Sequence, residues 1–356
     1  MISTKAEVLN NKQADKKAVK CVVWDLDNTL WDGVLLEDER IFLRNEVVEI
    51  IKKLDSRGIL QSIASKNDAA RAMAQLEEFK LHEYFLYPQI NWNSKSSSIQ
   101  EIAHSLNLGI DTFAFIDDQL FELEEVNFSL PEVLCINAAE LGHLLDMPEM
   151  NPRFITEDSK LRRLMYISDI VRNNSEKKFV GTQEEFLATL NMTFTISSAQ
   201  EEDLQRAEEL TLRTNQLNTT GYTYSYDELN HFRQSNQHKL LTASLDDKYG
   251  SYGKIGLVLV ECQELAWTIK LLLMSCRVMS RGVGTIMLNY IMTLAKNNNV
   301  RLRSEFVSND RNRMMYVSYK FAGFKVIAKH GDLQILENEL THIQPFPEYV
   351  KVNILN

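Results

Sequence analysis

The stretch Val22–Gly33 reads VVWDLDNTLWDG. It opens inside an apolar run, residues 20–24, whose composition predicts a buried strand. Asp25 and Asp27 follow at once, one residue apart. A turn at the strand's end would aim Asp25 at a ligand while Asp27 contributes from the other side. Working outward, the periodicity predicts helices over 46–57 (ended by Gly58), 68–79 (capped by Asn67 or Asp68) and 97–106. Apolar strands are expected over 59–64, 113–116 and 133–136. Strands alternating with helices imply a parallel sheet covered on both faces, with ligands at the carboxyl ends of its strands.

Those ends carry chemistry. One strand runs into Ser65-Lys66-Asn67, and another into Asp117-Asp118, with Glu122 and Glu124 just beyond. Lys95 is expected in a loop, Trp92–Lys95, before a helix. A carboxylate cluster suits a hard cation such as Mg²⁺. With a lysine beside it, such a cluster can neutralise a phosphoryl group so that a carboxylate can attack. A serine hydroxyl and backbone N–H groups would hold the other phosphoryl oxygens, and a second carboxylate would move the proton. Only 40 residues separate Asp25 from Ser65, so no large cap fits there and the site is expected to be open.

The second half predicts strands over 192–196, 255–261, 266–274, 300–306 and, last, 325–328, with helices over 201–211, 281–296 and 309–322. Thr182-Gln183-Glu184-Glu185 fits a capping box. Ser280-Arg281-Gly282-Val283-Gly284-Thr285 lies between an apolar strand and an apolar helix, where glycines let backbone N–H groups approach a phosphate. A glycine turn that merely packs strand on helix is the alternative. Cys276 stands at a strand end beside Arg277. It reads either as a thiol that accepts an acyl group or as an ordinary buried cysteine.

Composition sets limits. The 356 residues carry 49 acids against 39 bases, a net charge of −10, which disfavours general nucleic-acid binding. No apolar run approaches membrane-spanning length. Residues 1–20 are polar and Lys-rich, without a secretory apolar core, and the four cysteines form no CxxC pair. A reducing, cytoplasmic setting and no membrane partner are therefore expected.

In order, Asp25, Asp27 and Thr29, then Ser65, then Lys95, then Asp117-Asp118 resemble the four motifs of the haloacid dehalogenase (HAD) superfamily. The resemblance implies Asp25 as phosphoryl nucleophile, Asp27 as general acid/base, and Mg²⁺ held by Asp25, the Asp27 carbonyl and Asp117, with Asp118 close by. The second half resembles the GNAT acyltransferase fold. Both halves together resemble the FkbH-like family, a branch of HAD subfamily IIIC, on Val22–Gly33, Ser65–Asn67, Ile90–Ser96, Phe115–Glu122, Leu212–Asn218 and Leu272–Val278.

That resemblance implies an α/β fold: a Rossmann-like parallel sheet without a large cap, then a GNAT-like α+β acyltransferase domain. The expected organisation is a flexible segment over 1–19, a HAD-like domain over 20–150, a helical connector over 151–185, a GNAT-like domain over 186–335 and a tail over 336–356. It also implies loading of a glyceryl unit from 1,3-bisphosphoglycerate onto the phosphopantetheine thiol of an acyl carrier protein, with dephosphorylation, for polyketide or related biosynthesis. Asn67, Asn215, Gln216, Asn218, Arg277, Arg281, Gly282 and Gly284 are then candidate substrate contacts. The arginines at 277, 281, 301, 303, 311 and 313 are candidates for a carrier-docking patch. An Mg²⁺-dependent phosphatase fused to an N- or S-acyltransferase with another substrate is the competing reading.

Overall fold

The computed structural model describes residues 18–214 and 216–355. The N-terminal segment read as flexible lies almost wholly outside that range, and so does Asn215. The chain divides into two compact units between Tyr166 and Ile167, inside the Arg162–Lys178 helix. The stretch read as one connector is thus shared. Arg162 donates to the Gly58 carbonyl of the first unit, whereas Arg172 binds Asp247 of the second.

In the first unit, five parallel strands run in the order Gln89–Ile90, Leu60–Ser65, Cys21–Trp24, Phe113–Asp117, Leu134–Asn137. Cys21–Trp24 is central and wholly buried, as its lack of polar residues requires. Its neighbour Gln61 is buried too, but satisfied. Gln61 accepts from the Trp24 indole at 3.2 Å and donates to the Ile51 carbonyl at 2.9 Å. The helices Asn45–Ser56, Ala69–Glu78, Lys95–Leu106 and Leu120–Ser129 make the crossovers. Between Asp27 and Leu60 the chain forms only a small hairpin, Trp31–Asp32 with Phe42–Leu43, and the first of those helices. No cap domain stands there.

The second unit is an eight-stranded mixed sheet. Its order is Lys325–His330, Leu333–Asn338, Arg301–Val307, Ala266–Met274, Gly250–Cys262, His238–Asp247, Met192–Ser198, Val350–Leu355. Side chains alternate between faces. Val258, Val260, Leu272 and Met274 join a core with the Ile286–Asn297 helix, while Leu257, Leu259, Leu271 and Leu273 join another with the Leu204–Arg213 and Tyr226–Gln234 helices. Burial of both faces explains the continuous apolar runs.

His238–Asp247 is a strand that the sequence reading passed over. Lys325–His330 is not the last strand. The region read as a tail, 336–356, ends Leu333–Asn338 and supplies Val350–Leu355, which pairs in parallel with Met192–Ser198.

Candidate active site

The loop after Cys21–Trp24 owes its shape to local bonds. Asn28 adopts a left-handed conformation (φ 52°), and its side chain accepts from the Gly33 N–H at 3.2 Å. Leu30 N–H closes on the Leu26 carbonyl at 2.8 Å. Asp27 is thereby fixed. Its carboxylate accepts from the Trp31 indole at 2.8 Å, the Leu35 N–H at 3.1 Å and the Asn67 amide at 2.9 Å. The side chain of Asp27 is thus oriented by these three donors, and Asn67 serves as one of its anchors. Thr29 is fully buried, and its hydroxyl has no partner.

Asp25 is 5% exposed. Its carboxylate receives hydrogen bonds from Lys95, Ser65 and the Leu26 N–H. Lys95 does not stand in a loop. Ser94 caps the Lys95–Leu106 helix by accepting from the Ser97 N–H at 3.3 Å, which makes Lys95 the first helical residue. From there its ammonium meets Asp25, lies 3.1 Å from Asp117 Oδ2, and donates to the Ala64 carbonyl at 2.8 Å. Phe113–Asp117 delivers Asp117, whose other oxygen accepts from the Gln119 N–H at 2.9 Å.

Asp25, Asp117 and Asp118 each offer an oxygen, and these oxygens all lie within 4.8 Å of one another. Three carboxylates and one lysine leave an excess of negative charge. Burial, then the charge of Asp25, pushes the Asp117 carboxyl up to about 7. The same causes raise Asp118. Burial raises Asp25 as well, against the pull of Lys95. For Lys95, burial works against the charged form, but Asp25 and Asp117 more than offset it and hold the ammonium above its ordinary value. Asp118 Oδ1 is buried without a hydrogen-bond partner. A hard, oxygen-seeking divalent cation fits this set: it would supply the missing charge and the missing partner. Glu122 is not one of these three carboxylates but pairs with Lys66, and Glu124 is exposed.

The second-unit candidates fare differently. Cys276 is half-buried and starts a 3-10 turn, Cys276–Arg281. Arg277 donates to the Tyr252 carbonyl at 2.8 Å. Arg281 is not available to a substrate: it is 1% exposed and is bound to Glu176 at 3.1 Å and Asn173 at 2.8 Å. Gly282 caps the turn in a left-handed conformation (φ 67°), Gly284 has open space around it, and the following helix begins at Ile286, not at Arg281.

Asn218 is also structural. Fully buried, it accepts from the Thr220 and Gly221 N–H groups at 3.1 and 2.9 Å. Its segment fills a seam. Ala266–Met274 and Arg301–Val307 pair only from Ala266 to Ile269. Beyond that, Met274 N–H bonds the Leu217 carbonyl at 2.9 Å, Thr219 N–H bonds Leu272 at 3.1 Å, and Val307 N–H bonds Thr219 at 3.0 Å. Gln216, in the turn before this segment, is partly exposed. The arginines do not act as one free patch, since Arg303 is paired with Glu337 at 2.7 Å and Arg281 is buried.

Lys66 and Glu122, both placed at strand ends by the sequence, pair with each other. Nothing local marks Trp31 as the group that orients Asp27.

The chain matches no protein-family model. It is similar to magnesium-dependent phosphatase 1 of Homo sapiens, at 27% identity over 127 residues, 30% of this chain and 72% of that protein. Among solved structures it is similar to the N-terminal part of Bacteroides fragilis BF1531, which contains a phosphatase domain and was crystallised with Mg. That match has 30% identity and a TM-score of 0.31, and spans 38% of this chain and 40% of that one. The ribosomal-protein-S18-alanine N-acetyltransferase of Escherichia coli is similar at 15% identity, TM-score 0.34, over 43% of this chain and 97% of its own. Among the described residues, no helix is long and apolar enough to cross a membrane.

Proposed function

We propose that the first unit is a Mg²⁺-dependent phosphoryl-handling centre of the HAD type, in which Asp25 attacks phosphorus. The observation that carries this is the meeting of Asp25, Asp117 and Asp118 with Lys95 and Ser65 at the carboxyl edge of one parallel sheet. Mg²⁺ bound there supplies positive charge against the phosphoryl oxygens. Lys95 and Ser65 hold and orient Asp25. Asp27, pinned by Trp31, Leu35 and Asn67, is set to give a proton to the leaving oxygen and to take one from the attacking water. The similarity to a magnesium-dependent phosphatase supports the same chemistry.

The finer reading is loading of a carrier protein. The substrate is 1,3-bisphosphoglycerate, whose acyl phosphate is already activated. Attack by a thiolate on its carbonyl forms a thioester and releases phosphate, while the phosphomonoester falls to Asp25. Cys276 is the candidate thiol, and a phosphopantetheine thiol on an acyl carrier protein takes the glyceryl group. What supports this reading is the family resemblance together with the half-buried position of Cys276 in the turn just after an inner strand.

The competing reading, a phosphatase joined to an acyltransferase with another substrate, is favoured by one observation. Arg281 and Asn218, expected to contact substrate, are spent on internal contacts. Intact-protein mass spectrometry separates the two. Wild-type protein is mixed with Mg²⁺, 1,3-bisphosphoglycerate and a phosphopantetheinylated carrier. A glyceryl mass on the carrier, abolished by Cys276→Ala while phosphate release persists, is expected. Phosphate release with an unmodified carrier would leave only the phosphatase.

A further inference from the structure

Lys66 follows Ser65 at the end of Leu60–Ser65, and Glu122 lies in the first turn of the Leu120–Ser129 helix, just after Phe113–Asp117. Those two strands are not neighbours. Cys21–Trp24 runs between them, pairing with one on each side. Lys66 Nζ and Glu122 Oε1 nevertheless lie 2.6 Å apart. The pair must therefore reach across the carboxyl end of the central strand, where Asp25 stands. Neighbouring strands are about 4.8 Å apart, so the span is roughly 10 Å, within reach of a lysine and a glutamate meeting head to head.

The two partners are unlike. The Glu122 side chain is 8% exposed, whereas that of Lys66 is 35% exposed. Glu122 Oε2 is buried without a hydrogen-bond partner, so this carboxylate is held by Lys66 and by little else. Lys66 gives one of its three N–H bonds to Glu122, has two more to offer, and has a partly exposed side chain. Lys95, by contrast, is buried and spent on Asp25, Asp117 and Ala64. A partly exposed lysine thus lies beside the proposed phosphoryl centre, and no cap domain is inserted between Asp27 and Leu60.

We propose that Lys66, steadied by Glu122, is a specificity-determining residue that reads a second anionic group on the phosphorylated substrate. The substrate class is a small phosphate ester or acyl phosphate that also carries a carboxylate or a second phosphate. This rests on the phosphoryl-centre reading and deepens it. In the free protein Glu122 neutralises Lys66; when a dianionic substrate seats its phosphoryl group at Asp25, its other anion takes the remaining N–H bonds of Lys66. Charge-assisted bonds of this kind are strong enough to give a preference of roughly tenfold.

The test uses two probes that differ in one group, 3-phosphoglycerate and glycerol 3-phosphate. Affinities are measured by calorimetry with Mg²⁺ in an Asp25→Asn background, so that no turnover intervenes. With Lys66 present, 3-phosphoglycerate binds about tenfold more tightly than glycerol 3-phosphate. Lys66→Gln brings the ratio to near unity, and Lys66→Arg restores it. A ratio near unity with Lys66 in place overturns the proposal, as does a Lys66→Gln variant that weakens both probes equally and so marks the pair as a brace. Failure of the phosphoryl-centre reading shows separately, as absence of Mg²⁺-dependent p-nitrophenyl phosphate turnover by the protein with Asp25 intact.

Discussion

Replacing Lys95 by Met keeps most of the side chain's length and removes its charge. In the native structure Lys95 is 3% exposed, and its ammonium serves two buried carboxylates, Asp25 and Asp117, and one carbonyl. Removing one partner from a buried ion pair costs about 3–5 kcal/mol, because the other charge is left without compensation. The cost depends on pH with a definite sign. Asp117 is raised to about 7 even with Lys95 in place, so the native state binds its proton more readily than the unfolded chain. A group of this kind contributes stability that is fully present below its unfolded value, near ~4, and is lost as pH rises through its folded value. Without Lys95 that loss deepens. The gap between Lys95→Met and wild type is therefore widest at pH 8 and narrower at pH 5, where the Asp117 carboxyl is protonated and no longer needs the ammonium. Urea unfolding followed by tryptophan fluorescence reads it, since Trp24, Trp31 and Trp92 all lie in the first unit, and the two units are fitted as separate transitions. A gap below about 1 kcal/mol at pH 8, or one that grows toward pH 5, would refute the reasoning.

Mg²⁺ should stabilise the first unit by about 1.4 kcal/mol for each tenfold excess over its dissociation constant, more at pH 8 than at pH 6 because protonated Asp117 competes with it. Scanning fluorimetry with Asp118→Asn as control checks this; an unchanged response in that variant would remove Asp118 from the site. Arg172→Met should destabilise the second unit by about 3–5 kcal/mol. It removes the bonds from Arg172 to Asp247 at 2.6 and 3.0 Å and to Asp169 at 2.7 Å, all in buried surroundings. Trp267 emission during unfolding reads the effect, and a wild-type midpoint would contradict it. Asp27→Asn should slow phosphate release by roughly 10²- to 10⁴-fold, measured by phosphate assay. A near-normal rate would hand the proton transfer to another group.

The cluster of Asp25, Ser65, Lys95 and Asp117 was legible because most of its parts sit at strand ends, and a strand end is visible locally: an apolar run stops and a polar or charged residue takes over. Asp25, Ser65 and Asp117 all carry that mark. Lys95 was found by type and order, but its place in a helix depends on the single cap Ser94. What stayed hidden is set by distant partners. Arg281 beside glycines reads as an anion binder until Glu176, 105 residues upstream, neutralises it. Asn218 reads as a loop donor until its segment proves to fill a seam between two strands. Val350–Leu355 alternates as a strand should, yet only its pairing with Met192–Ser198 shows that it is part of the sheet. His238–Asp247 was within reach, with Leu240, Leu241, Ala243 and Leu245 buried in one short run.

Asp25 is proposed as the nucleophile that takes the phosphoryl group. An acyl phosphate on an aspartate is reduced by borohydride to homoserine. The protein is mixed with Mg²⁺ and acetyl phosphate, quenched with borohydride and digested, and the peptide containing Val22–Gly33 is sequenced by mass spectrometry. Homoserine at position 25, absent without Mg²⁺ and absent in Asp25→Asn, is the predicted result. Sustained phosphate release with aspartate intact at position 25, or with the reduced residue elsewhere, would contradict it.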